Sequence, residues 1–191
     1  MIQWREATVE RVRARWPGAI EYDVTLSGPE SDTVTALAYT DPTSGTYLLK
    51  KNAALSTATH LVLELVGPTS TGTGVSATFS ADTAKVTWAN VAAGDPANTF
   101  VQNGTAFSLG AAPQILKGKV TGSALQVTAA QKGTASPVSL NAPLLRVALD
   151  LKASQGTGAV TLSADAAKCQ VIDGSGAIST ITVSVGTLNA Q

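Results

Sequence analysis

His60 is the only histidine in the chain, and it is the residue whose type best suits general base catalysis near neutral pH. A serine hydrolase would place this histidine beside an activated serine, yet the chain contains no G-x-S-x-G elbow. His60 opens the stretch HLVLELV, in which Val62, Glu64 and Val66 share its side of an extended chain. The sequence therefore predicts a solvated histidine at a strand end and no enzyme.

The acidic residues after position 60 fall mostly in predicted turns. Asp82 and Asp165 occupy matching places in ATFSADTAKVTW and VTLSADAAKCQV, each typical of strand, turn and strand. An aspartate in such a turn accepts hydrogen bonds from its own backbone. A paired calcium site is the alternative, but neither stretch supplies the several carboxylates that calcium needs. Turn roles are predicted for most of this set, which is Glu64, Asp82, Asp95, Asp150, Asp165 and Asp173.

Metal, thiol and phosphate chemistry find little support. One cysteine, Cys169, and one histidine cannot build a zinc site from sulfur and nitrogen ligands. Cys169 lies between Ala167 and Val171 in an alternating apolar pattern, which predicts a buried, inert thiol. The Gly174-Ser175-Gly176 stretch is typical of a turn between strands and opens no helix. We therefore expect no cofactor, metal or catalytic residue.

The charge balance argues against nucleic acid as a partner. Lys plus Arg and Asp plus Glu number 13 each, so the chain carries no net positive charge that would attract phosphate groups. Arg11, Arg13 and Arg15 would alternate onto one face of a strand, but acidic residues nearby favour a solvated, charge-balanced edge. No run of residues is apolar enough for a membrane span.

The elements that would carry these residues are predicted to be strands. Only 5% of residues are aromatic and 14% charged, and small and β-branched residues are plentiful. In LLRVALDL, Leu145, Val147 and Leu149 alternate with Arg146 and Asp150, the pattern of a half-buried strand. The alternation returns in three further strands up to the C terminus, the last of them predicted over residues 178–188. The fold class is all-β, an antiparallel jelly-roll or immunoglobulin-like sandwich.

Turn chemistry predicts the connections between the earlier strands. The strand HLVLELV is followed by a flexible connection over residues 68–74 and by the strand GVSATFSAD. Asn103-Gly104, between residues 99–102 and 105–109, predicts a type I′ hairpin. Gly122 is predicted to join QILKGKVT and SALQVTAA in a further hairpin.

The first part of the chain has a different composition. Four of the five arginines lie within the first fifteen residues, and every lysine lies at Lys50 or later. We predict an appendage or small β unit over residues 1–44 and a sandwich over 45–191, although an appendage packed on one common core is the alternative. Trp16-Pro17-Gly18-Ala19 favours a β-hairpin followed by the strand TVTALAYT, while VERVRARW could instead form a short helix.

Two resemblances accompany these patterns. WREATVERVRARWPGAIEYDV with VTALAYTD resembles the start of an uncharacterised bacterial family of unknown function over residues 1–40. Residues 59–191 resemble the cohesin-like family of bacterial extracellular domains, through HLVLELVGP, GVSATFSADTAKVTW, LLRVALDLK and the final AVTLSADAAKCQVIDGSGAISTITVSVGTL. The second resemblance implies a jelly-roll used for protein assembly at the surface, classically with a dockerin. It identifies no recognition residues.

The predicted function is a non-catalytic extracellular or cell-surface module for protein–protein assembly or a structural surface role. Its partner would be another protein or a surface assembly, or a second copy bound through an edge strand. A carbohydrate-binding module is the alternative, with polysaccharide as the ligand. Such a module needs exposed aromatic platforms, for which Phe79, Trp88, Phe100 and Phe107 are the candidates after residue 60. The first sixteen residues hold six charged side chains and no apolar signal core, so the predicted secreted or surface location allows for a removed signal.

Overall fold

The computed structural model describes residues 34–107, 114–132, 136–153 and 156–191. The described chain forms β-strands and one single-turn 3₁₀ helix, Ala166–Lys168. None of the described residues forms a helix long and apolar enough to cross a membrane. The described strands are β1 Leu37–Thr40, β2 Tyr47–Lys51, β3 His60–Val66, β4 Thr71–Ala81, β5 Val86–Ala89, β6 Gln102–Asn103, β7 Gln114–Thr121, β8 Ala124–Gln131, β9 Val138–Ser139, β10 Pro143–Leu151, β11 Gly158–Val160, β12 Leu162–Ala164, β13 Gln170–Asp173, β14 Ile178–Thr180, β15 Val183–Val185 and β16 Thr187–Ala190.

Three hydrogen-bonded sheets organise these strands. Sheet I has the order β15-β2-β3-β10-β5, with β6 also pairing with β10. Sheet II has the order β14-β13-β4-β8-β7, with β9 and β12 pairing with β4. Sheet III is the small sheet β1-β16-β11. The predicted all-β, largely antiparallel sandwich is confirmed.

The core lies between sheets I and II. Leu63 and Val147 face each other in the register of β3 and β10, and both are fully buried. They belong to the same apolar cluster as Phe79 and Leu125 from sheet II. Each such side chain contributes roughly 1.5–3 kcal/mol when it is buried. The period-2 pattern in the sequence thus identified the inward side of the central strands.

The end of the chain departs from the prediction of one strand over 178–188. This segment forms three short strands, with β14 in sheet II, β15 in sheet I and β16 in sheet III. β15 runs parallel to β2, which is the one parallel pair among the described strands. Ile181 N–H bonds to Cys169 O at the first crossing, between β14 and β15. Apolar and polar residues still alternate through this segment. The reason is that the segment keeps its apolar side chains toward the same core while it passes from one sheet to the next.

A similar break divides the predicted strand through residues 160–164. Val160 belongs to β11 and pairs with Leu188, whereas Leu162 belongs to β12 and pairs with Ala81. Between them, Thr161 O accepts a hydrogen bond from Asp82 N at 2.9 Å. This segment, too, changes sheets.

The Asn103-Gly104 hairpin prediction is wrong. Neither residue has a positive φ, which a type I′ turn would require. Asn103 instead pairs with Leu145 of β10, and the N–H of Thr105 bonds to Pro143 O at 2.7 Å. A Cβ on Gly104 would lie 1.8 Å from Pro143 O, so the glycine serves a close backbone approach.

Two other connections test the turn chemistry. The hairpin at Gly122 is confirmed, because Gly122 has φ 60 and Thr121 pairs with Ala124 across it. A positive φ at the first position of a two-residue turn is typical of type II′. The flexible connection predicted over 68–74 is partly wrong, since β4 begins at Thr71.

The N-terminal predictions are largely untested. The predicted hairpin or short helix falls on residues 1–33, outside the described residues. From the strand TVTALAYT, Leu37–Thr40 forms β1 and pairs with Thr187–Ala190. The division of the chain between residues 44 and 45 stays a prediction.

Candidate functional site

The His60 ring contacts two acceptors. Its Nδ1 lies 2.5 Å from Asp150 Oδ1, the residue opposite it in register, and its Nε2 lies 3.1 Å from Val91 O. The side chain is 24% exposed. The predicted strand-end position is confirmed, because β3 begins at His60, but the histidine is only partly solvated, because both ring nitrogens hold structural contacts. Neither contact is to a serine.

Glu64 is the centre of a second polar contact on the same face. It accepts hydrogen bonds from Arg146 Nε at 2.6 Å and Asn52 Nδ2 at 2.8 Å through the same oxygen, Oε1. Its side chain is only 14% exposed. The carboxylate thus joins β3, β10 and the end of β2.

The remaining aspartates include the turn residues that the sequence predicted. Asp82 accepts from Ala84 N, and Asp165 accepts from Ala167 N. A hydrogen bond from Lys168 is the main cause that lowers the pKa of the Asp165 carboxyl. Bonds from Ser175 lower the pKa of the Asp173 carboxyl in the same way.

Cys169 is fully buried, as predicted. Burial raises the pKa of its thiol, because the thiolate would lose its hydration there. Among the described residues, no group of three or more His, Cys, Asp or Glu side chains could hold a metal ion. Arg11, Arg13 and Arg15 lie outside the described residues.

Part of the outer face of sheet I is covered by the chain itself. Val62 and Ala148 point to this face, yet both are fully buried, because Val91 from the segment 90–101 packs on them. Asp95 in this segment bonds to Gln102 Nε2 at 2.7 Å. The segment 90–101 therefore covers the part of this face around Val62 and Ala148, and the carboxylates of Glu64 and Asp150 are engaged by Arg146 and His60.

Among the described residues, the outer face of sheet II carries mostly uncharged side chains, and most of them are partly or fully exposed, although Thr78 and Ala130 are buried. Its composition follows from the register, since residues paired across strands point to the same side. Ser76 pairs with Thr128 and Gln170, and Ile172 pairs with Ile178. By the same registers the outward side chains are Ile115, Lys117, Lys119, Thr121, Ala124, Gln126, Thr128, Ala130, Ser76, Thr78, Ser80, Ser163, Gln170, Ile172, Ile178 and Thr180.

Two features distinguish this face. Ile178 is 66% exposed and Ile115 is 42% exposed, at opposite edges of the sheet. Lys117 and Lys119 on β7 are its charged residues, and no ion pair within the described residues engages them. Near the centre, Ser76, Thr128 and Ile178 help to line a shallow depression of about 190 Å³.

A larger open groove lies at the edge of sheet I. Its volume is about 430 Å³, and its lining is dominated by hydroxyl side chains and backbone. Tyr47 contributes to the wall but is 6% exposed. The groove offers no charged group and no exposed aromatic ring, so its chemistry selects no ligand class.

The aromatic candidates for a sugar platform are mostly internal. Phe79, Trp88 and Phe107 are buried, and Phe100 is partly buried against the core. Trp88 also donates its ring N–H to Ser123 O at 2.8 Å. An exposed platform is therefore not formed by these four side chains.

Sequence reasoning did not identify the sheet II face. The signal was present in QILKGKVT, where Ile115, Lys117 and Lys119 alternate with inward residues. What the sequence could not show was that this strand and Ile178 belong to one sheet.

Comparison with known proteins supports the fold. Neither a family model nor a curated protein matches the chain, so the resemblance of residues 1–40 stays a prediction. A type II cohesin domain from the cellulosome of Acetivibrio cellulolyticus matches 75% of the chain and 94% of its own length, with 13% identity and a TM-score of 0.52. The chain therefore has a cohesin-like fold.

Two further solved structures are similar. A chain of the CaDoc0917–CaCohA2 complex gives a match over 67% of this chain and 85% of its own length, at 16% identity and a TM-score of 0.49. The cohesin module from a Clostridium perfringens family 33 glycoside hydrolase matches 83% of the chain and 96% of its own length, at 13% identity and a TM-score of 0.44.

Proposed function

We propose that this chain is a non-catalytic, extracellular or cell-surface module that docks a partner protein on the outer face of sheet II, for assembly or a structural surface role. The observation that carries the proposal is the 66% exposed Ile178 on a face where, at the outward positions of the described strands, the charged residues are Lys117 and Lys119. Interface cores are depleted in charge, and exposed apolar side chains on such a face favour a protein partner.

The partner's chemistry follows from the charges. Lys117 and Lys119 lie on the β7 side of the face, whereas Ile172 and Ile178 lie on the β13 and β14 side. No acidic side chain lies between them on the outward register positions. A fitting partner carries an apolar patch next to carboxylates, because the carboxylates would neutralise the two lysines.

The contrast with sheet I supports the choice of face. There the segment 90–101 covers Val62 and Ala148, and Glu64 and Asp150 are engaged by Arg146 and His60. The same engagement supports a non-catalytic role, since the residues best suited to acid–base chemistry hold the fold together.

The sequence also raised two other partners. A polysaccharide ligand has weaker support, because Phe79, Trp88 and Phe107 are buried. Self-association through an edge strand has weaker support at β7, because Lys117 and Lys119 would meet the same charges on a second copy.

The test uses a partner captured by the full chain from the medium of the source organism, then identified and purified. Its affinity is measured for the wild type and for Ile178→Glu. The proposal predicts that Ile178→Glu weakens binding by at least about tenfold, the equivalent of roughly 1.4 kcal/mol.

Leu55→Glu is the matched control. Leu55 is 43% exposed in the loop between β2 and β3, away from sheet II, so the same substitution there leaves binding unchanged. Equal affinities of Ile178→Glu and the wild type for every captured protein would refute docking on this face. A glycan array carried out in parallel tests the carbohydrate alternative.

A further inference from the structure

β7 forms an edge of sheet II with unused backbone groups. It pairs with β8 and, within the described residues, with no other strand. Because Thr121 and Ala124 flank a two-residue turn, they form a hydrogen-bonded pair, and the bonded positions then alternate along β7. The N–H and C=O groups of Leu116, Gly118 and Val120 therefore point away from β8.

These edge groups are supported from the inner side but have no hydrogen-bonding partner among the described residues. A Cβ on Gly118 would lie 2.4 Å from Thr99 O and 3.1 Å from a methyl of Val101. The end of the segment 90–101 therefore packs beneath the middle of β7. Within the described part of the chain, the free-edge groups of Leu116, Gly118 and Val120 make no hydrogen bond. A supported strand with a row of free groups is a template for an added strand.

The side chains beside the edge select the occupant. Lys117 and Lys119 project outward on either side of Gly118, and neither β7 nor β8 contains an acidic residue. Antiparallel pairing of two copies centred on Gly118 would place Lys117 opposite Lys119 of the other copy. Like charges directly opposite each other destabilise a strand pair, whereas opposite charges stabilise it.

We infer that the free edge of β7 accepts an extended segment carrying carboxylates at alternate positions, as an additional strand of sheet II. This mode uses the backbone edge and goes beyond docking across the outer face. The two lysines keep the edge from pairing with itself and select an acidic strand.

The chain itself supplies a probe strand of this chemistry. The variant Lys117→Glu/Lys119→Glu presents two carboxylates at the required positions, so a mixture with the wild type pairs each glutamate with a lysine. We expect a heterodimer in sedimentation velocity that dissociates as salt is raised. Amide exchange at Leu116, Gly118 and Val120 becomes at least about tenfold slower in the mixture than in the wild type alone.

Two controls make the result specific. Lys51→Glu/Lys132→Glu changes the net charge equally but lies outside β7, and its mixture with the wild type gives no protection at the three amides. Ile178→Glu, introduced into both chains, should leave the pairing of the β7 edges unchanged. A failure of docking on the outer face of sheet II can therefore be distinguished from a failure of edge pairing. No added protection in the first mixture, or equal protection in the charge control, would overturn the inference.

Discussion

The N–H of Gly186 donates a hydrogen bond to the Tyr39 hydroxyl at 2.7 Å, although the two residues are 147 positions apart. The same hydroxyl donates to Leu49 O at 2.7 Å. One phenol thus links β1, β2 and the connection between β15 and β16, where sheets I and III meet. Burial raises the pKa of Tyr39 to about 12, because the phenolate would lose its hydration.

This contact predicts a loss of stability at high pH. An unfolded tyrosine ionises near pH 10, whereas folded Tyr39 holds its proton to about pH 12. Between these values the unfolded state binds fewer protons, so the free energy of unfolding falls as pH rises from about 10 to 12. The Tyr39 contribution is complete below pH 10 and amounts to at most about 3 kcal/mol. Tyr39→Phe should flatten this dependence in urea melts and, because two buried groups lose their partner, cost about 1–3 kcal/mol at neutral pH. An unchanged pH slope in the variant would refute the assignment.

Loss of Arg146 should be costly. Arg146→Ala removes the main partner of Glu64, whose carboxylate is 14% exposed, so we expect a loss of about 1–3 kcal/mol in chemical unfolding. Lys168→Ala removes the exposed partner of Asp165 and should produce no measurable change. Equal effects of the two substitutions would show that the burial of Glu64 does not strengthen its contact.

Gly104 and Gly94 form a matched pair for the close approach to β10. A methyl group on Gly104 collides with Pro143 O, whereas a methyl group on Gly94 meets no atom within 4 Å. Gly104→Ala should lower stability by about 1–3 kcal/mol through overpacking. Gly94→Ala should be neutral or slightly stabilising. A thermal melt in which both variants match the wild type would contradict the observed path of residues 103–106.

Truncation tests the C-terminal crossing strands. A chain ending at Gly176 loses β14, β15 and β16, and with them the buried side chains of Ile181, Val183 and Leu188. At roughly 1.5–3 kcal/mol each, these side chains account for much of a typical stability of about 5–15 kcal/mol. The truncated chain should show no cooperative melt, while His60→Ala should cost about 1 kcal/mol. A cooperative melt of the truncated chain would show that sheets I and II hold without their shared C-terminal segment.

The buried thiol predicts slow reactivity. Because Cys169 is fully buried and burial raises its pKa, a thiol reagent should react with the native chain far more slowly than with the urea-unfolded chain. The rate at which an aromatic disulfide reagent releases its coloured thiolate measures this difference directly. Comparable rates in the two states would mean that the core around β13 opens readily.

Local pattern alone determined the central strands β3, β4 and β10 and their inward sides. Alternation identified β3, β4 and β10 with the correct core residues, because the side-chain period of a strand is fixed by backbone geometry. The turns at Gly122, Asp82 and Asp165 were also predictable, since each depends on its own residues and immediate neighbours.

Tertiary structure decided which strands became neighbours. Residues 178–190 alternate in sequence, yet they divide among three sheets, because long-range pairing partners compete for each short stretch. Asn103-Gly104 has the composition of a tight hairpin, but the bonds to Pro143 and Leu145 replaced the turn. His60 likewise gained Asp150 from a strand ninety positions away. The candidate docking face was decided in the same way, since only the pairing of β7, β8, β4, β13 and β14 places Lys117 and Ile178 on one surface.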